Sequence, residues 1–397
     1  MLHLGRMSTG VAVLAAAALF AGCSSSSVSS SAGTGSGASA STATVAMSPP
    51  ATVAATTTTP PSTNPPSNTS QPTSQPTPQP TPQPTTPSSA ARPTTSTVPA
   101  SAPVHAKTIA ALLHLGRPIV LAHTGGEDQF PGSTMFAYGE SMKAGVDVLD
   151  LNVLLSADGV LVIQHDDTVD RTSNGKGAVG DLTYAQLSQL DNAYWFNADC
   201  TCTGKPDSAY IYRGLRTGAV APPVGYTPDD FTIPKLSDLI ARYPDIPLNI
   251  EIKGSGAPAA KAAIALATML HDMHRADASA VTSFDDATVA AFHAAAPDIV
   301  VTPGLAATAA WVLGGTPLPD GMTILQLPPK FQDTTVITAD SISKAHAAGY
   351  VIWVWPNDKR LENPASYRAF LAAGIDGLNI NYPADGVTAV DAFTPPS

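Results

Sequence analysis

The sequence predicts an α/β protein whose main domain is a closed barrel of eight parallel strands. Three observations carry this expectation. From about residue 105 onward, short apolar runs alternate with segments of helical spacing, the pattern of strand–helix units around a parallel sheet. The number of such units suits a (βα)8 barrel of the TIM type better than an open sheet. No glycine-rich phosphate loop follows the first strand, which counts against a Rossmann fold.

The elements follow in order. Pro118–Ala122 reads as a short buried strand, and Ser133–Ala144 as a helix with a serine in capping position. Val146–Val153 and Gly159–His165 are the next strands. The link Ser156–Gly159 between them is too short for a crossover helix. Thr183–Asp191 reads as a helix. Phe196–Phe231 is rich in Gly and Pro and has no helical period, so it reads as an insertion after the third strand, over one end of the domain. Leu236–Tyr243 is helical and Pro247–Ile252 is a strand. Pro258–His274 is an Ala-rich helix with proline in its first turn, where a missing N–H costs nothing. The strands Ala280–Ser283, Asp298–Thr302, Thr323–Leu327, Tyr350–Trp355 and Gly377–Ile380 then alternate with the helices Asp286–Ala296, Ala306–Leu313, Ser341–Ala348 and Pro364–Ala373. That makes nine strands, one more than the barrel holds, and Thr323–Leu327 is the one set outside it.

Composition divides the chain. Residues 24–104 are almost all Ser, Thr, Pro, Ala and Gly, with Arg92 the only charge and no aromatic. Such a segment has too little apolar bulk to offset its ordering entropy, and it reads as a disordered, partly extended tether. Ahead of it stands an export signal: Arg6, then an apolar run Val11–Ala21 too short to span a bilayer. The run ends in Leu19-Phe20-Ala21-Gly22-Cys23. This ending resembles a bacterial lipoprotein signal, in which Cys23 is lipidated after cleavage just before it. Ordinary secretion with an incidental cysteine is the competing reading. The expected organisation is a signal peptide over residues 1–23, the tether over 24–104 and the barrel over 105–397. The lipid would hold the protein to the outer face of a cell membrane, and the tether would let the barrel stand clear of it.

All 31 acidic residues lie after residue 104, as do 18 of the 20 basic ones, which gives the folded part a net charge of −13. A nucleic-acid surface would be basic, so that partner is excluded. An anionic substrate is not, because a metal ion reverses the local field. Cys200 and Cys202 are the other two cysteines. Their spacing is awkward for a disulfide, two thiols are too few for structural zinc, and their state stays open.

Polar residues gather at the C-terminal ends of the expected strands, where barrel enzymes carry their chemistry. His123 follows the first strand. Asp150 and Asn152 are two apart on the second, so they share a face, with Leu149 and Leu151 on the other. His165 and Asp166 end the third, Glu251 and Lys253 the fourth, and Ser283 the fifth. Trp353 and Trp355 lie two apart near the end of the chain. Singly, each has a structural reading: a hydrogen-bonded histidine, a helix-capping carboxylate, a packing indole. Together they supply two imidazoles for acid–base work, oxygen ligands for a hard cation such as Mg²⁺ or Ca²⁺ from Asp150, Asn152 and Glu251, and an anion anchor in Lys253. Phosphoryl transfer needs these parts.

Local sequence then points to a family. Leu121-Ala122-His123-Thr124-Gly125-Gly126 with Pro131-Gly132-Ser133-Thr134 resembles the opening motif of the glycerophosphodiester phosphodiesterases. Leu149-Asp150-Leu151-Asn152-Val153 resembles their second-strand metal motif. The stretch from Asp158 through His165-Asp166 to Asp170-Arg171-Thr172-Ser173-Asn174-Gly175 resembles their most recognisable segment. Ile250-Glu251-Ile252-Lys253 resembles the fourth-strand motif, and Trp355-Pro356-Asn357 with Gly374 to Pro383 the closing ones. The likeness covers residues 118–385.

The resemblance implies a TIM barrel of the phosphodiesterase type and metal-dependent hydrolysis of glycerophosphodiesters to an alcohol and glycerol phosphate. Carried over, it makes His123 and His165 the acid–base pair and Asp150, Asn152 and Glu251 the ligands of a divalent cation. Lys253 becomes a phosphate contact and Trp355 a substrate wall. Several positions depart from the family pattern. Thr124 replaces an arginine, removing a bidentate phosphate anchor. Asp150 replaces a glutamate, Asn152 an aspartate, Gly132-Ser133 a Glu-Asn pair, and Asn381 an aspartate. Fewer anionic ligands weaken cation binding, and Glu127 or Asp128 is the expected compensation. A catalytically impaired surface protein that binds an anionic glycerophosphoryl ligand is the competing function. A barrel glycosidase ranks lower, because Glu251 has no facing carboxylate.

Overall fold

A computed structural model describes residues 106–394. The expected signal peptide, the lipidated Cys23 and the tether lie outside the described residues. The described chain forms nine strands of one sheet: β1 (Ile119–Ala122), β2 (Val148–Leu155), β3 (Leu161–Ile163), β4 (Leu248–Ile252), β5 (Ser279–Thr282), β6 (Val300–Val301), β7 (Ile324–Leu327), β8 (Val351–Val354) and β9 (Gly377–Ile380). Eight are parallel neighbours in the order β6-β5-β4-β2-β1-β9-β8-β7. Side chains span the seam between β6 and β7, where Gln326 Nε2 donates to Thr302 Oγ1 at 3.4 Å. Asn249 on β4 and Gln326 on β7 exchange two amide hydrogen bonds of 3.0 and 2.9 Å. These two strands are far apart in the sheet order, so the bonds cross the barrel interior.

The ninth strand is β3, not Thr323–Leu327. Residues 324–327 pair in parallel with Val351–Val354 and belong to the barrel. β3 instead turns back against β2 as an antiparallel hairpin, Val153 opposite Ile163. The short link Ser156–Gly159 dictates this: a tight turn can reverse a strand but cannot carry it across a sheet face. Ser156 Oγ accepts from Val160 N–H at 2.9 Å and fixes that turn.

The helices bury the outward faces of the strands. They are α1 (Ile109–Leu113), α2 (Met135–Ala144), α3 (Tyr184–Leu187), α4 (Leu236–Arg242), α5 (Gly256–Asp272), α6 (Asp286–Ala295), α7 (Leu305–Gly314), α8 (Ala339–Ala347), α9 (Pro364–Ala373) and α10 (Pro383–Asp391). Leu149, Leu151 and Val153 of β2 join the main core with Leu236, Ala263 and Leu266 from the helices. The serine cap expected for α2 is displaced by one residue: Thr134 Oγ1 accepts from Ala137 N–H. The helix expected over Thr183–Asp191 stops after α3. Beyond it Asp191 turns its carboxylate to the Ala193 and Gly214 N–H groups, bonds that compete with continued helix.

A second cluster fills the bottom of the barrel. Ile109 and Leu112 of α1, an element without a periodic signal, cap Ile119, Leu121, Val148, Ala280, Ile324 and Trp353. Trp353 is the packing member of its pair, 1 % exposed. It fits because Gly377 has no side chain: a Cβ there would lie 2.6 Å from Trp353 Cδ1 and 3.1 Å from Ile119 Cγ1.

The insertion 196–231 is a packed loop. Phe196–Asn197 pairs with Cys200–Thr201, and Cys200 and Cys202 form a disulfide with Cα atoms 5.5 Å apart. The guanidinium of Arg213 stacks on Tyr194, Trp195 and Tyr210, and Arg216 donates to the Ser188 carbonyl. Tyr212 packs on Phe136. These three side chains hold the loop together. Among the described residues no helix is long and apolar enough to cross a membrane.

Gly377→Ala is expected to lower stability by about 1–3 kcal/mol through overpacking against Trp353, read as a lower denaturant midpoint with unchanged slope.

Candidate active site

The strand ends place His123, Asp150, Asn152, His165, Glu251 and Lys253 at one mouth of the barrel. His123 opens a short turn after β1 in which Thr124 adopts a positive φ of 47°, uncommon for a β-branched residue.

Both imidazoles are tethered through Nδ1. His123 Nδ1–H donates to Asn381 Oδ1 at 2.7 Å. The amide orientation follows from its other end, where Asn381 Nδ2 donates to Asp128 Oδ2 at 3.0 Å. Asp128 also accepts from Lys359 Nζ at 2.8 Å. His165 Nδ1–H donates to Asp166 Oδ1 at 2.7 Å, and Arg171 grips that carboxylate with Nε at 2.7 Å and Nη2 at 2.9 Å. The rings stand edge to face with centroids 6.0 Å apart. With Nδ1 committed on each, the Nε2 atoms are left for chemistry.

The charges around them are tuned. Burial lowers the affinity of His123 for a proton, but Glu127, Asp150, the Asn381 acceptor and Glu362 outweigh it and raise the pKa. Burial would raise Asp166, yet His165 and Arg171 hold it well below the carboxylate range. Glu127 is likewise held below its ordinary value by His123, His165 and Arg171, against the effect of burial.

Asn152 Nδ2 donates to Glu251 Oε2 at 2.8 Å, and Lys253 Nζ lies 3.2 Å from Glu251 Oε1. The second lone acceptor of this group, Asn152 Oδ1, is buried and has no partner. Asp150 does not bond to this pair; it accepts from Asn249 Nδ2. Burial pushes Asp150 up to about 6, with Glu251 adding to the effect. Among the described residues, no group of three or more His, Cys, Asp or Glu is placed to hold a metal ion. In the structure Glu127 turns to His123 and Arg171, and Asp128 to Asn381 and Lys359. A cation site of the expected residues depends on the Asn152 amide oxygen, and the unpartnered Oδ1 fits that use.

Trp355 stands edge-on to Phe284 at 5.9 Å, and Lys253 Nζ lies 6.0 Å from the Phe284 ring. Ser283 donates to the Ile252 carbonyl and is structural. Three participants carry no role in the sequence reading. Asn249, two residues before Glu251, had a visible period-two signal. Asn381 appears there only as a lost carboxylate. Glu362 had no signal; it accepts from Tyr367 OH and the Asn381 N–H, and burial pushes it up to about 7.

Residues 123–385 match the Glycerophosphoryl diester phosphodiesterase family. The chain belongs to that family. A glycerophosphodiester phosphodiesterase of Bacillus altitudinis is 25% identical over 270 residues, 66% of this chain and 94% of its own. The enzyme of the same name from Bacillus subtilis is 35% identical over 114 residues, 29% of this chain and 38% of its own. The phosphodiesterase of Oleispira antarctica, solved with sn-glycerol-3-phosphate, superposes with TM-score 0.53 and 21% identity, covering 70% of this chain and 99% of its own. A phosphodiesterase domain from Mycobacterium tuberculosis gives TM-score 0.54 at 20% identity, over 68% of this chain and 98% of its own. These structural likenesses show the barrel fold.

In this member of the family, Asp150 and Glu362 bind protons more tightly folded than unfolded. Folding therefore takes up protons between their ordinary values near 4 and the raised values of about 6 and about 7, and stability falls as pH rises through that window. Each shift corresponds to roughly 3 kcal/mol of stability lost across that window. Denaturant midpoints in chelator across pH 4–7 are expected to fall, and Asp150→Asn and Glu362→Gln each to remove part of the slope.

Proposed function

We propose that the chain hydrolyses glycerophosphodiesters to an alcohol and glycerol phosphate, with His123 and His165 as the acid–base pair. The observation that carries this is the pair of imidazoles, each fixed through Nδ1 and 6.0 Å apart, beside Glu251 and Lys253. Family membership supports the reaction class. The Oleispira antarctica relative that holds sn-glycerol-3-phosphate supports a glycerophosphoryl substrate.

In this reading, a water molecule attacks phosphorus and the bond to the alcohol oxygen breaks. One Nε2 takes the proton of the water; the other gives a proton to the departing oxygen. His123 suits the donor role, because the carboxylates around it favour its charged form. His165, oriented by Asp166 and Arg171, takes the acceptor role. Lys253 anchors a phosphate oxygen, and Trp355 with Phe284 forms the wall against which the substrate lies. A divalent cation, Mg²⁺ or Ca²⁺, would be held by Asp150, Asn152 and Glu251 and would neutralise charge on the phosphoryl oxygens. Only two of those three ligands are anionic, which favours weak, readily exchanged binding.

The test is release of glycerol phosphate from several glycerophosphodiesters with Mg²⁺, with Ca²⁺ and with chelator. His123→Ala and His165→Ala are each expected to lower turnover by about 10²–10⁴-fold. The cation is expected to raise the melting temperature of the wild type and not of Asp150→Ala. Wild type without turnover under any condition would sink the hydrolase reading. The absence of an arginine at Thr124 and the neutral Asn152 favour, in that event, a protein that binds the anionic ligand without cleaving it.

We further propose that the barrel is exported and held to the outer face of a membrane by lipidated Cys23, which the sequence ending at that residue supports. Incorporation of labelled palmitate by the full chain, lost in Cys23→Ala, is the expected result; retained labelling would remove the anchor.

A further inference from the structure

We infer that Glu127 is a positioning residue for His123: Asn381 holds the imidazole through Nδ1–H, and Glu127 stands beside that nitrogen and supplies the negative charge that a neutral amide lacks. This rests on the reading of His123 as half of the acid–base pair.

The geometry is specific. Glu127 Oε1 lies 3.6 Å from His123 Nδ1, and Oε2 lies 3.8 Å from Arg171 Nη2. Asn381 Oδ1 accepts that Nδ1–H at 2.7 Å, so Glu127 acts on the ring through its charge. The other carboxylates that act on His123 are held by donors of their own: Asp150 by Asn249, Glu362 by Tyr367 and the Asn381 N–H. Asp128 is tied to Asn381 and Lys359. Glu127 is the carboxylate left to answer charge on the ring. Among the groups that favour the charged form of His123 it is the largest contributor.

Room for it is built into the neighbouring loop. A Cβ on residue 132 would lie 2.7 Å from Glu127 Cβ and 2.9 Å from Thr124 Oγ1. Any residue but glycine at 132 would push Glu127 off its place. The small residues at 124 and 132, which read in the sequence only as a lost phosphate anchor and a lost ligand, thus open the space that Glu127 fills. Arg171 then links the two halves of the site: it grips Asp166 behind His165 and faces Glu127 behind His123.

When Nε2 of His123 carries its proton, the ring charge sits between Nε2 and a carboxylate that is already ionised. That arrangement holds ring angle and charge at once, so its loss should act on the chemical step rather than on substrate binding. The isosteric Glu127→Gln in the full chain tests this. Its kcat is expected to fall about tenfold with KM within about twofold. Asn381→Asp in the Glu127→Gln background is expected to restore most of the loss, because it returns a carboxylate to Nδ1. An unchanged kcat, a loss that Asn381→Asp does not restore, or a rise in KM alone overturns the proposal; the last would assign Glu127 to substrate through Arg171. A second arm needs no turnover. In spectra of the substrate-free chain labelled with ¹⁵N-histidine, the Nδ1–H signal of His123 is expected to shift and exchange faster in Glu127→Gln. An unmoved signal overturns the proposal even if the wild type proves inactive.

Discussion

A buried amide on β4, Asn249, joins the two sides of the barrel beneath its mouth. It exchanges two hydrogen bonds with Gln326 across the interior and donates to Asp150. A barrel of this size is filled with side chains, and each polar one taken from water must find a partner or cost a few kcal/mol. Here the partners are one another. Below this layer Leu121, Ala280, Ile324 and Trp353 form a dry plug under α1. Above it the chain Asn152–Glu251–Lys253 reaches the mouth. The placement of Asp150 thus depends on the amide layer, because the apolar plug offers a carboxylate no donor.

The same constraint explains how the two histidines are held. His123 and His165 stand just beyond strand ends, after Ala122 of β1 and Ile163 of β3, where the backbone no longer pairs and the ring would swing. Each imidazole is therefore tied by a residue from another segment or a neighbouring turn. For His123 it is Asn381, 258 positions away in sequence. For His165 it is the adjacent Asp166, itself clamped by Arg171. Two unlike tethers, a neutral amide and a clamped carboxylate, give the two rings unlike charge environments, as the proposed division into acid and base would require.

Much of this was legible in the residues, and the reason is periodicity. Spacings of two put Asp150 with Asn152 and Glu251 with Lys253 on one face of their strands, and strand-end histidines stand out against apolar runs. The short link 156–159 already requires β3 to reverse, whereas nothing in the apolar run Thr323–Leu327 distinguishes a barrel strand from an outlier. What stayed hidden has a different origin. The pairings of Asn381 with His123 and of Lys359 with Asp128 join residues more than 200 positions apart, and no spacing rule reaches across that distance. The cap α1 has five residues, too few to show a helical period. The disulfide between Cys200 and Cys202 depends on the hairpin that sets their Cα atoms 5.5 Å apart, a turn that sequence alone left as loop.

The departures from the family pattern are better read together than one at a time. Asn152 lowers the charge next to Glu251, and its buried Oδ1 still offers an oxygen toward the site. Asn381 removes a charge next to His123, while Glu127 stands 3.6 Å from the same nitrogen. Thr124 and Gly132 give up long side chains and leave the volume Glu127 occupies. Negative charge has shifted from the cation side of the mouth toward the histidine side. In the hydrolase reading proposed above, a site so arranged would lean less on a metal to neutralise the phosphodiester and more on His123 and Arg171. Because charges in a half-buried mouth act over several ångströms with modest screening, moving one carboxylate by a few residues alters both the proton affinity of an imidazole and the affinity for a cation. The two properties are coupled through the same few side chains, and a substitution at any of them is felt by both.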